Sequence, residues 1–89
     1  MAHSLSAKKR IRQNQTQNAY NRWRKRQVKG AVKAFDQAVH AGDANSAQEA
    51  YRAASRTLDT VAAKGVIHKN AAARTKSRLA ARLNAMAAT

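Results

Sequence analysis

Positively charged side chains recur about once per helical turn early in the chain, where they could neutralise a row of phosphates. Residues 21–35, NRWRKRQVKGAVKAF, hold six Lys or Arg and no acid. In a helix each residue turns about 100° around the axis, so most of these cations share one face. Guanidinium groups also pair with phosphate oxygens through two parallel hydrogen bonds. The candidate phosphate-binding residues form a basic stripe on one face of this helix, and they are Arg22, Lys25, Arg26, Lys29 and Lys33.

A second basic series recurs at every fourth residue near the end of the sequence, at Arg74, Arg78 and Arg82. Residues 1–33 carry ten Lys or Arg and no acid, and residues 64–89 carry six and none. Between them lies a nearly neutral middle. The formal net charge of +14 opposes compaction unless an anionic partner neutralises it. We therefore expect a polyanion as the partner.

The elements that position these cations are predicted to be three helices. Gly42 and Gly65 are expected to end helices in the left-handed conformation, and Asp43 is expected to cap the following helix. The fold class predicted is all-α, a three-helix bundle with a long, protruding first helix. The 89 residues form one domain, with helices at about residues 6–41, 44–63 and 67–86.

The first helix exceeds the other two by about 15 residues, which at about 1.5 Å each must overhang the bundle. This segment is charged on all sides and has little to bury, so tertiary packing cannot stabilise it. We predict that residues 1–18 fray without a partner and become ordered on it. Gly30, in the packed part, is interpreted as a point of close approach by another backbone.

The aromatic residues are interpreted mainly as packing residues. Phe35 is expected in the core, and Tyr20 and Tyr51 at its edge. Trp23 belongs to neither the basic nor the apolar stripe of the first helix. It could stack on an exposed base or shield the side of the bundle, and packing is favoured.

Catalysis finds little support in the sequence. Its four acids are scattered, its three His are dispersed, and it has no Cys. We expect no catalytic residue, metal ion, cofactor or small-molecule substrate. The N-terminus lacks the apolar run of a secretory signal, and no apolar span of 18 residues occurs, so a cytosolic protein is expected.

Charge alone leaves RNA, DNA and an anionic membrane open as partners. The membrane is disfavoured because the apolar faces are rich in Ala and poor in Leu and aromatic residues. DNA is disfavoured because no helix-turn-helix spacing or base-reading helix is evident, although a DNA-compacting architectural protein remains the alternative. A long basic rod on a small bundle suits a folded RNA, which is recognised largely by its shape.

Three segments resemble the bacterial small-subunit ribosomal protein S20 family. They are SAKKRIRQN at 6–14, the Gly-Asp turn at 42–43, and AAKGVIHKNAAARTKSRL at 62–79. The last is the specific part, and the resemblance covers essentially the whole chain. It implies a three-helix bundle that binds small-subunit ribosomal RNA early in assembly, near the 5′ domain and the long penultimate helix. Other ribosomal components become expected neighbours in the cytoplasm, and a homo-oligomer is not expected.

The resemblance also implies individual RNA contacts. In the first motif they are Ser6, Lys8, Lys9 and Arg10, and in the second they are His68, Lys69, Asn70, Arg74, Lys76 and Arg78. The stripe on the first helix matches the family only as a basic tract, so its contacts are inferred from spacing. Arg12 and Arg82 complete the set of candidate RNA-binding residues.

Overall fold

A computed structural model describes residues 5–88, which form three helices joined by two short turns. Helix α1 spans Leu5–His40, α2 spans Ala44–Ala63 and α3 spans Lys69–Ala88. Helix α2 packs against both of the others, and Leu79 of α3 shares one buried cluster with Phe35 of α1. The predicted all-α class with a long first helix is confirmed.

Both turns have the same hydrogen-bonded form, which explains the two glycines. After α1, the Gly42 N–H donates to the Val39 carbonyl at 3.0 Å, and the Asp43 N–H donates to the Ala38 carbonyl at 3.2 Å. This is a Schellman motif, in which the glycine takes a positive φ, here 73°. Gly65, with φ of 76°, ends α2 in the same way. The turn requires a left-handed conformation at both positions, and residues with a Cβ rarely adopt it.

Side chains cap the second and third helices. The Asp43 carboxylate accepts a hydrogen bond from the Ser46 backbone N–H at 3.1 Å and another from the Ser46 hydroxyl at 2.8 Å. Helix α3 begins at Lys69 rather than at residue 67, because the residues before it complete the turn. Its cap is His68, whose Nδ1 accepts a hydrogen bond from the Asn70 N–H at 3.0 Å.

The core is thin. Seven of the described residues are buried, and three of them are alanines; the larger ones are Phe35, Leu58, Val61 and Leu79. Phe35 of α1 is fully buried and meets the ring of Tyr51 edge to face, with the ring centroids 6.4 Å apart. This confirms Phe35 as a core residue and Tyr51 as a core-edge residue. A core of this size leaves the bundle only marginally stable.

The described chain is elongated, with extents of 66 × 22 × 13 Å and a radius of gyration of 17.8 Å. A compact chain of this length would have a radius of about 12 Å. The excess comes from α1, in which residues 8–20 are all exposed. The overhang is thus present, and its fraying without a partner stays a prediction. Ser6 lies inside the helix and is exposed.

Gly30 does not have the role expected from the sequence. A Cβ placed on it would find no atom within 4 Å, so no part of the described chain approaches it closely. Its presence inside α1 costs roughly 1 kcal/mol relative to Ala without any compensating contact within the bundle.

Candidate nucleic-acid interface

The basic stripe of α1 faces away from the core. The apolar residues of the same helix, centred on Phe35, contact α2, and this fixes the rotation of α1 so that the opposite face meets solvent. Arg22, Lys25, Arg26 and Lys29 line one open depression of about 430 Å³ beside Ala19, and Lys33 extends the row by one turn. All five stripe residues are exposed. The structure therefore brings together the five cations that the spacing grouped.

The overhang carries its cations on a different part of the helix surface. Lys9 and Arg12 line a second open depression with Gln13, Thr16 and Gln17. Every candidate in the segment is exposed, namely Ser6, Lys8, Lys9, Arg10 and Arg12. No contact with α2 or α3 holds this segment, so its groups are accessible from all sides.

Helix α3 divides its candidates into two sets. Arg74 and Arg78 are exposed, and neither has an ion-pair partner among residues 5–88. Lys69 and Asn70 are also exposed, in the first turn of the helix. The Asn70 side chain does not cap this helix, because His68 fills that position. The imidazole Nδ1 of His68 is thereby used in the fold.

Lys76 and Arg82 have partners within the chain. The Lys76 ammonium lies 3.0 Å from the Asp59 carboxylate of α2. The Arg82 guanidinium pairs with Asp36 of α1 and lies over the Phe35 ring, 5.4 Å from its centroid. Their positive charges are therefore balanced, and they connect α3 to the other two helices. This internal use was not predicted for either residue.

The two unpaired basic surfaces lie on separate helices. The stripe lies on α1 and the unpaired arginines lie on α3, and α2 packs against both helices. Each surface is held in place by the contact of its own helix with α2. The arrangement thus offers cationic surfaces on two helices of one bundle, extended by the overhang.

Sequence reasoning missed a further group of polar and aromatic residues between α1 and α2. Arg52 and Arg56 stand four residues apart on α2, and both are exposed. Their spacing was a usable signal, hidden by the near-neutral charge of the middle segment. Trp23 and Tyr20 were expected to pack, but they are 53% and 54% exposed. Those two expectations are wrong, because more than half of each residue stays uncovered.

Within residues 5–88, no three His, Cys, Asp or Glu side chains are placed to share a metal ion. None of the three helices, so far as they are described, combines the length and apolarity needed to span a membrane.

Comparison with known proteins identifies the family. The sequence model described as Ribosomal protein S20 matches residues 2–84. A small ribosomal subunit protein bS20 of Clostridium perfringens is 51% identical over 87 residues, which is 98% of this chain and 100% of that protein. The bS20 of Clostridium botulinum strain Alaska E43 is 49% identical over 87 residues, with the same coverage. That of Ralstonia pickettii is 46% identical over 88 residues, or 99% of this chain and all of the relative. The chain belongs to the ribosomal protein S20 family.

Proposed function

We propose that this chain is a non-enzymatic structural component of the small ribosomal subunit, which binds small-subunit (16S) ribosomal RNA directly and helps the subunit assemble. It acts in the cytoplasm, as one copy among the other ribosomal components. The relatives that span its whole length are named as small-subunit proteins, which supports the first part of the proposal.

One observation supports the proposal that the chain contacts RNA directly. Two of the 18 Lys and Arg side chains are ion-paired, which leaves 16 without a carboxylate partner within the described chain. Such a density of uncompensated charge on so thin a core favours a partner with a fixed array of negative charge. Phosphates meet that need, because each neutralised phosphate also releases condensed counterions.

The placement of basic surfaces on two different helices supports the assembly role. A bundle that presents cations on α1 and on α3 can contact two RNA backbone segments simultaneously. The proposed contacts are the α1 stripe (Arg22, Lys25, Arg26, Lys29 and Lys33), the overhang (Ser6, Lys8, Lys9, Arg10 and Arg12) and the exposed residues at α3 (His68, Lys69, Asn70, Arg74 and Arg78). We leave Lys76 and Arg82 out of this interface, since their charges are balanced internally.

The test removes charge from the stripe without touching the core. We expect the combined change of Arg22, Arg26, Lys29 and Lys33 to Gln to weaken binding to 16S ribosomal RNA. Helicity by circular dichroism should be unchanged, because all four side chains are exposed. In the wild type, about six phosphate contacts should cost roughly a thousandfold in affinity between 50 and 200 mM salt. Unchanged affinity in the variant, or a flat salt response in the wild type, contradicts the proposal.

Competition separates RNA from the alternative of a DNA-compacting protein. Folded 16S RNA should displace a labelled RNA fragment at much lower concentration than random duplex DNA of equal phosphate content. The A-form and tertiary arrangement of RNA phosphates differs from that of B-DNA, and a rigid cation array distinguishes them. Equal competition by the two nucleic acids would favour the DNA-compacting function.

A further inference from the structure

A small groove between α1 and α2 joins an exposed indole to guanidinium and hydroxyl groups. It has a volume of about 240 Å³, and its lining residues are Trp23, Arg24, Gln27, Arg56, Thr57, Thr60 and Val61. The buried side chain of Val61 forms part of its apolar lining. The groove is smaller than the about 300–1,000 Å³ of a typical small-molecule site, so it suits one flat ring rather than a whole ligand.

The polar groups of the groove are placed for an anionic, hydrogen-bonding guest. No acidic residue lines it, whereas Arg24 and Arg56 both do. The Thr57 hydroxyl donates to the Ala53 carbonyl at 3.0 Å, and the Thr60 hydroxyl donates to the Arg56 carbonyl at 2.9 Å. With their protons engaged, these hydroxyl oxygens present lone pairs that accept hydrogen bonds from N–H groups of the guest.

Packing within the bundle does not account for Trp23. More than half of this side chain is exposed, although an indole gains most when its rings are covered. The Arg24 guanidinium is already held over the neighbouring Tyr20 ring, 5.6 Å from its centroid. Arg24, which lines the groove together with Trp23, is therefore held in place as a cation.

We propose that the groove at Trp23 binds an unpaired nucleotide of the RNA partner. The base stacks on the indole, Arg24 and Arg56 pair with the flanking phosphates, and the threonine hydroxyls accept hydrogen bonds from the base. This inference rests on the proposed function, because the guest belongs to the same RNA. It adds a contact to a single-stranded segment, whereas the basic stripes contact phosphates without reading the bases.

The single tryptophan makes the contact directly observable. In the full-length protein, Trp23 fluorescence should be quenched when 16S ribosomal RNA binds, because stacking on a base quenches indole emission. Trp23→Leu should weaken binding by at least about fivefold, and Trp23→Phe by less, since Phe retains an aromatic face. Tyr20→Phe is the control, because Tyr20 is equally exposed, does not line the groove, and keeps in Phe the ring under Arg24. It should change affinity by less than about twofold.

The outcomes separate this inference from the proposed function. If the wild type fails to bind 16S RNA, both are overturned. If it binds with the expected salt dependence but Trp23 emission is unchanged and Trp23→Leu binds normally, only the groove assignment is overturned. Equal losses in Trp23→Leu and Tyr20→Phe also overturn it. A loss of thermal stability in Trp23→Leu without loss of affinity would assign Trp23 to packing. Emission that shifts only when other subunit proteins are added would assign the groove to a protein neighbour.

Discussion

Four cations on α3 provide a test of whether position or total charge determines RNA binding. Arg74 and Arg78 are exposed and have no partner in the described chain, whereas Lys76 and Arg82 are paired with Asp59 and Asp36. The double variants Arg74→Gln/Arg78→Gln and Lys76→Gln/Arg82→Gln both lower the formal net charge of +14 by two. Both remove the charges from the same helix. They differ in whether the lost cations were unpaired or were held in ion pairs with carboxylates of the other two helices.

The expected difference follows from counterion release. Each phosphate contact contributes roughly 0.7–0.9 to the slope of log affinity against log salt, which is about five- to eightfold in affinity at 0.1 M salt. Loss of two contacts in Arg74→Gln/Arg78→Gln should therefore weaken 16S RNA binding by about 25- to 60-fold. The salt slope should become shallower by roughly 1.4–1.8. The paired variant should change affinity by only a few-fold.

The paired variant should instead lower stability. A surface ion pair contributes up to about 1 kcal/mol, and the position of Arg82 over the Phe35 ring adds about 0.5–1 kcal/mol. Thermal unfolding followed by circular dichroism measures this loss, and filter binding across a salt series, well below the melting temperature, measures affinity. Equal losses of affinity and equal slopes in the two variants would refute the reasoning, because net charge alone would then drive binding.

Four other perturbations test the fold. Gly30→Ala should raise the free energy of unfolding by about 0.5–1 kcal/mol in thermal melts, because nothing lies within 4 Å of the added Cβ; a lower melting temperature would contradict this. Phe35→Ala should lower the free energy of unfolding by about 3–5 kcal/mol, which is enough to unfold much of so small a bundle. Retained helicity in this variant would show that the core does not depend on the Phe35 ring. Deletion of residues 1–18 should leave the melting temperature unchanged and weaken RNA binding, since residues 8–20 are exposed; a large drop in melting temperature would contradict the overhang. The pKa of Asp43 is lowered from its ordinary 3.8, first by the hydrogen bond from the Ser46 backbone N–H and then by that from the Ser46 hydroxyl. The contribution of ionised Asp43 to the free energy of unfolding should therefore be present above pH 3.8 and lost as the pH falls through the lower pKa of the folded state. If the stability of Asp43→Asn depends on acid pH as that of the wild type does, another group is responsible.

Local structure could be predicted from the sequence at positions where a residue type strongly favours one backbone conformation or one capping role. Gly42 and Gly65 end their helices in the left-handed region, and Asp43 caps α2, as predicted. Phe35 likewise lies in the core, as predicted. Short-range sterics and helical periodicity decide these features, and both are properties of neighbouring residues.

Contacts between helices could not be predicted from the sequence in the same way. Nothing in the spacing of Arg74, Arg78 and Arg82 indicated that the last would be neutralised by Asp36, 46 residues away. The same holds for Lys76 and Asp59, which are 17 residues apart. The exposure of Trp23 and Tyr20 depended on how much of α1 the other helices cover. Each outcome required the relative placement of two helices.

The sequence by itself determined the three helices, their turns, the face each buries and the excess of positive charge. These follow from backbone sterics, from the 3.6-residue period and from composition, which act within one helix at a time. The tertiary structure alone decided which cations are ion-paired and which are not. It also decided that a groove forms beside Trp23. Those features depend on distances between helices, and such distances arise only when the apolar faces pack together.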